Sequence, residues 1–484
     1  MNKPENDSSK ISRRSFGAMM GSSASGILLH SQTAFPDEEE LKVKTFPKKP
    51  AFIRGAFTYP PTKQLDEEGY YSWPGSSFNA EGRQEQYMRE IRAIEKERGM
   101  RIEMDAIPLD KAESVDRFIQ DIKQSRPDGL FLIPFKKSHF ENVVKIIDEV
   151  QIPTIVLASL GIILNAHIQR LHNKPGVYLI NSLDNLEAAS CGLNMIRTAC
   201  WMRDSRIANI TGTDSNEISV PALQTKVRNV PSQRFYDLYQ QMTLTPRVKS
   251  LAQSYLKNSI RMEEPAENDV YDAAKTYFVL KQIIEETQAD AMMMNCLPGL
   301  KRPHQHVPPC MGFMNLRDEG IPAGCESDLD ATLSMMLIQQ LFNKPAFQHN
   351  PSMDTEKNHY FAAHCTSASK MNGPGGRAEP YILRSHAEAG WGCVPRVLFP
   401  AGQDVTFIKY LSRENPPQIL VYSGHIVGCP NNPPTGGCRT NVELELDDMD
   451  DVCNVKGHHL CLFYGQHKKD VESFCRLYNF QAVS

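Results

Sequence analysis

Three carboxylates, Glu326, Asp328 and Asp330, fall within five residues, just ahead of an apolar run in which Leu333, Met336, Leu337 and Gln340 recur at helical spacing. Acids so placed have two uses. Ser327 and Asp328 are ordinary N-cap residues, and first-turn acids gain about 0.3–1 kcal/mol from the helix dipole. The same acids, converging with an imidazole, can hold a divalent cation. His364, His386 and His459 each fall at or near the end of a predicted strand further along the chain, where they could supply that imidazole.

The elements that must position these groups follow from periodicity. From Ala51 to about Leu157, apolar strands alternate with helical stretches. Ala51 to Tyr59, Arg101 to Ile107, Gly129 to Pro134 and Thr154 to Leu157 read as strands, with helices marked by Val115, Phe118, Ile119 and Ile122 and by Phe140, Val143, Val144 and Ile147. A second unit of the same kind follows Gly176, with strands at Val177 to Asn181, Arg206 to Thr211 and Ala291 to Asn295. Beyond the Leu333 helix come short strands with turn signals, Tyr360 to Cys365, Tyr381 to His386, Val405 to Tyr410, Gln418 to Tyr422, Val442 to Leu446 and His459 to Tyr464. The expected fold class is α/β: two doubly wound parallel-sheet domains, residues 46–160 and 161–322, followed by a β-rich C-terminal domain, 323–484, that opens with the acid helix. Neither unit carries a G-x-G-x-x-G or P-loop pattern after a strand, so nucleotide binding has no support. Ligands of open α/β sheets bind at strand carboxyl ends, which points to Asn295-Cys296-Leu297-Pro298, upstream of the acids.

With 41% apolar and 23% charged residues and a net charge of -4, the 484-residue chain has the composition of an ordinary globular protein. It shows no basic stripe for nucleic acid and no apolar run of membrane-spanning length. Within residues 1–45, Ser12-Arg13-Arg14-Ser15-Phe16 precedes a weakly apolar Gly/Ser-rich run to Leu29 and looks like a twin-arginine export signal, so export of the folded protein to the periplasm or beyond is expected. The twelve cysteines are scattered without C-x-x-C; most read as buried thiols, with Cys429 and Cys438 as the pair to test for a disulfide.

Two segments resemble the L-fucose isomerases and their relatives, the L-arabinose isomerases. Ala323-Gly324-Cys325-Glu326-Ser327-Asp328 looks like that family's Glu-x-Asp segment, whose aspartate ligates a metal. Gly457-His458-His459-Leu460-Cys461-Leu462-Phe463-Tyr464-Gly465 resembles its C-terminal histidine segment. The resemblance implies two α/β domains and a β-rich third, ring-like homo-oligomers, and a metal-dependent aldose-ketose isomerase acting on a monosaccharide through an enediol. It puts Asp328 and His459 among the metal ligands, makes Glu326 a ligand or the base, and casts Glu326 and Asp328 as the catalytic carboxylates. Carboxylates with one imidazole and open positions favour Mn²⁺ or Mg²⁺ over zinc, and Mn²⁺ is the expected ion. His364, Arg384 and His386, from their strand-end positions, are candidates to grip sugar hydroxyls.

One departure bears on the chemistry. The family draws a further glutamate, ligand and base, from the stretch before the Glu-x-Asp segment, whereas Leu300 to Arg317 holds no carboxylate and offers Arg302, His304, His306 and Cys310. Either Glu326 takes over that role or the chemistry is altered. An exported sugar-binding protein without turnover, and a metal-dependent carbohydrate hydrolase with Glu326 as base, remain the alternatives.

Overall fold

Apolar strands alternating with amphipathic helices build first a five-stranded, wholly parallel sheet: Phe52–Thr58, Arg101–Met104, Gly129–Pro134, Thr154–Ser159 and Val177–Ser182. The structure is a computed structural model and describes residues 46–68, 78–183, 186–430 and 437–484. The Arg13-Arg14 segment lies outside them. Gly129–Pro134 is buried along its whole length, as a central parallel strand covered on both faces must be. The helices Ala112–Ser125 and Phe140–Val150 lay Val115, Phe118, Ile119 and Ile122, and Phe140, Val143 and Ile147, into the core on one of those faces. Val177–Ser182, assigned from the sequence to the second unit, is instead the outer strand of this first sheet, paired with Thr154–Ser159. Periodicity identifies a strand but says nothing of which sheet receives it; here Asn165–His172 serves as the crossover helix.

The second sheet runs in the order Ala323–Cys325, Ala291–Met294, Arg206–Ile210, Lys226–Val230 and Glu217–Ser219, parallel except for the last pair. Ala323–Cys325 is a three-residue edge strand, and its outer side is completed by side chains. The amide of Gln348 accepts from Cys325 N at 2.9 Å and donates to Cys325 O at 3.3 Å. The guanidinium of Arg317, 1% exposed, donates twice to Ala323 O, at 2.9 and 2.6 Å, and once to Thr366 O at 3.2 Å. Satisfying the backbone in this way holds the strand end that carries Glu326.

The helix that follows, Leu329–Phe342, is buried on all sides from Ala331 to Gln339. Its first turn presses on the edge strand, so that a Cβ at Gly324 would lie 2.0 Å from Thr332 Oγ1. Gly324→Ala is therefore expected to lower stability by about 1–3 kcal/mol, as overpacking does; a denaturant midpoint equal to that of the parent would refute the close approach.

The third sheet closes on itself. Asp404–Leu411, Leu460–Tyr464, Phe347–Asp354, His359–His364, Thr440–Leu446 and Gln418–Gly428 pair antiparallel in that order, and Gln418–Gly428 pairs back onto Asp404–Leu411. Closure leaves those six strands without an open edge, apart from Gln481–Val483 added beside Gln418–Gly428. The Leu329–Phe342 helix docks on this barrel through Ser334 Oγ, which accepts from Tyr410 N at 2.8 Å, and through Ala331 O, which accepts from the Cys461 thiol at 3.3 Å. The fold is thus α/β with a β-rich C-terminal part. Among the described residues no helix is long and apolar enough to cross a membrane.

Candidate functional site

Sheet register brings two histidines level. Phe347–Asp354 lies between the other two strands and pairs Asn350 with Ala363 on one side and His349 with Leu460 on the other. The last residue of one neighbour, His364, therefore meets the residue just before the other, His459, with ring centroids 5.2 Å apart. Facing them is Glu326, directly beyond the carboxyl end of Ala323–Cys325. Glu326, Ser327 and His459 all have left-handed backbones, with φ of 59°, 51° and 53°. Non-glycine residues held there are strained by about 1–3 kcal/mol, and such strain collects where side-chain aim matters.

The distances carry a specific message. Glu326 Oε1 lies 3.6 Å from His364 Nε2, and Glu326 Oε2 lies 3.6 Å from His459 Nε2. Both gaps are too long for a hydrogen bond, and both Nε2 atoms are buried with no hydrogen-bond partner. Ligands about 2.1 Å from one cation stand roughly 3–4 Å from each other, so the three donors are spaced as if around an ion. One donor atom from each residue lies within 4.8 Å of the others.

Supporting groups fix the rings. His459 Nδ1 is 2.9 Å from Asp328 Oδ2. Asp328 is also the N-cap of the helix, accepting from Ala331 N at 2.8 Å, and receives Lys409 Nζ on both oxygens at 2.9 and 2.7 Å. Burial alone would raise its pKa, but the His459 hydrogen bond, the Lys409 ammonium and the Ala331 N–H outweigh burial and hold the carboxyl well below the usual range. Being ionised, it accepts only, so His459 carries a proton on Nδ1, and Nε2 is the ring nitrogen that faces Glu326. His364 Nδ1 lies 3.2 Å from Cys365 Sγ.

The side chains of Glu326, Asp328 and His459 thus converge, and His364, expected to grip hydroxyls, stands among the donors. Asp328, expected as a ligand, has its oxygens committed to Lys409, His459 and Ala331. Arg384 is committed as well: its guanidinium binds Glu263 and Glu264, and Ser385 N adds to Glu264 at 3.2 Å. His386 accepts from Ala389 N on Nδ1 at 3.2 Å, is pushed down to about 4 by burial, and has a ring nitrogen within 4.8 Å of Cys310 and Cys365 sulfurs. Of the residues between Leu300 and Arg317, His306 is buried against Phe235 and Tyr236, while Cys310 joins that sulfur cluster. Cys429 and Cys438, the pair singled out for a disulfide, are both free thiols. Sequence reasoning missed Lys409, although a lysine inside the apolar run Val405 to Tyr410 is itself a signal of a buried ion pair.

No family model matches the chain. Over 399 residues it is 21% identical to the sulfoquinovose isomerase of Priestia aryabhattai, an alignment covering 76% of this chain and 88% of that protein. The sulfoquinovose isomerase of Priestia megaterium (strain ATCC 12872 / QMB1551) matches with the same figures.

Proposed function

We propose that the protein is a metal-dependent aldose-ketose isomerase acting on a monosaccharide, with Glu326, His364 and His459 holding the cation. The observation that carries this is the pair of buried, unpartnered imidazole Nε2 atoms flanking one carboxylate at 3.6 Å. Two imidazoles and one carboxylate with open positions suit a borderline ion, and Mn²⁺ fits better than Mg²⁺, which prefers oxygen throughout. The similarity to sulfoquinovose isomerases over 76% of the chain favours isomerisation over hydrolysis and makes a sulfonated aldose one substrate to try.

Isomerisation moves a hydrogen from C2 to C1 of the open-chain sugar. When bound, the cation supplies Lewis acidity toward the sugar's carbonyl and hydroxyl oxygens. Glu326 accepts the C2 proton as a carboxylate, exchanges it with solvent, and delivers a proton to C1 as the acid, while the O2 hydroxyl proton passes through solvent to O1. The Glu326 side chain is 37% exposed, so it is open to a sugar as well as to the imidazoles. Asp328 does not share this work, because its carboxyl is kept ionised by His459 and Lys409. Its role is to orient His459.

The test is a panel of aldoses, sulfoquinovose among them, incubated with purified protein in deuterium oxide with and without Mn²⁺. Mn²⁺-dependent formation of a ketose is expected, with deuterium entering at C1 of that ketose and at C2 of the recovered aldose. Sugar binding without exchange would establish the receptor alternative instead. His459→Ala and His364→Ala should each weaken Mn²⁺ binding by at least about tenfold, and unchanged affinity in both would remove the metal assignment.

A further inference from the structure

His364 shows its two ring nitrogens to two different donor sets. Nε2 faces Glu326, and Nδ1 lies 3.2 Å from Cys365 Sγ. The sulfurs of Cys325 and Cys365 and a His364 ring nitrogen all lie within 4.8 Å of one another, and both cysteines are free and buried. Arg317 Nη2, 3.6 Å from Cys325 Sγ, is placed to donate to a thiolate there. These two cysteines also flank the first site in sequence: Cys325 precedes Glu326 and Cys365 follows His364.

We propose that Cys325, Cys365 and His364 Nδ1 form a second metal site, for a thiophilic cation of the Zn²⁺ or Cd²⁺ class, back to back with the Glu326 site and exclusive of it. Thiolate sulfurs about 2.3 Å and an imidazole nitrogen about 2.0 Å from one ion stand roughly 3.5–3.8 Å apart, inside the 4.8 Å within which these atoms lie. Exclusion follows from valence, since a neutral imidazole has one lone pair. With the proton on Nδ1, donated to Cys365, the lone pair on Nε2 serves the Glu326 site. With the proton on Nε2, directed at Glu326, the lone pair on Nδ1 serves the sulfur site. Binding there releases two thiol protons to solvent and moves the imidazole proton across the ring by exchange with solvent; nothing is oxidised or reduced. Ligand softness sorts the ions, because the sulfur set outcompetes a carboxylate for Zn²⁺ or Cd²⁺ and has little affinity for Mn²⁺. The neighbouring Cys310, Cys365 and His386 group is the weaker candidate, because Ala389 N–H already occupies His386 Nδ1.

The exclusion, though not the sulfur site itself, rests on the Mn²⁺ site proposed above. The experiment titrates Cd²⁺ into the full chain and follows the ultraviolet thiolate-to-cadmium charge-transfer band, together with the electron paramagnetic resonance signal of released Mn²⁺. In the parent protein the band should rise as Mn²⁺ is released. In Cys365→Ser and in Cys325→Ser the band should fall to the background of the other cysteines, and about tenfold more Cd²⁺ should be needed to release Mn²⁺. Mn²⁺ binding by each variant certifies its fold, and Glu326→Gln should keep the band. An absent band in the parent, a band unchanged in both serine variants, or Mn²⁺ and Cd²⁺ bound together would overturn the proposal. If the parent binds no Mn²⁺, the first site's assignment fails, and the band still decides the sulfur site.

Discussion

Glu326→Gln should fold as the parent does and lose about two to four orders of magnitude in turnover, the usual consequence of removing a general base. The side chain is 37% exposed, so the amide buries no new polar group, and the left-handed backbone at φ 59° is no harder for glutamine than for glutamate. The amide oxygen can still face a cation flanked by His364 and His459, so Mn²⁺ binding should weaken far less than turnover falls. What the amide lacks is basicity: it accepts no proton from C2. The decisive measurement is deuterium exchange at C2, which should vanish with turnover; exchange that persists while ketose formation stops would place the base on another residue. Turnover within about threefold of the parent would return Glu326 to the role of a helix-start acid.

The fold class was legible in the sequence because it is written in local periodicity. Continuous apolar strands such as Gly129–Pro134 and stripes such as Val115, Phe118, Ile119 and Ile122 leave few choices for the first sheet. What was not legible depends on partners distant along the chain. Closure of the third sheet through Asp404–Leu411 is a matter of register between strands, and short edge strands such as Ala323–Cys325 carry too few residues to show a period. The candidate site divides the same way. Glu326 and His459 stand in segments that advertise themselves, whereas the promotion of His364 to a donor required knowing that Phe347–Asp354 lies between its strand and that of His459. Nothing in the residue types announces the left-handed backbones at Glu326, Ser327 and His459. Asp328 shows the limit most plainly, because its residue type and position suit an N-cap and an ion site alike, and only the fold shows that it caps the helix and hydrogen-bonds the His459 ring.

That double duty makes Asp328 and Lys409 a sensitive pair for stability. Lys409 is 6% exposed at its side chain, and Asp328 takes its ammonium on both oxygens. Asp328→Asn keeps an acceptor for Ala331 N but strands a buried ammonium, which should cost about 3–5 kcal/mol. Lys409→Met should cost less, since the carboxylate keeps His459 Nδ1–H and Ala331 N–H and is 20% exposed. The double variant should recover much of the loss, because no charge is then left unpaired; a double-mutant cycle on denaturant unfolding measures this coupling. Metal binding should not recover with it. An asparagine can either accept from or donate to Nδ1, so His459 is no longer held in the tautomer that leaves Nε2 free, a loss worth about 10–100-fold in affinity. The sign of the pH dependence provides an independent check. Because the folded pKa of Asp328 lies well below its unfolded value, the carboxyl contributes stability that is fully present above the ordinary carboxylate range and is lost progressively as pH falls from that range through the lower folded pKa. The parent should therefore lose stability on acidification more steeply than the double variant; parallel acid profiles, or metal affinity restored along with stability, would show that Asp328 does not act through Lys409 and His459.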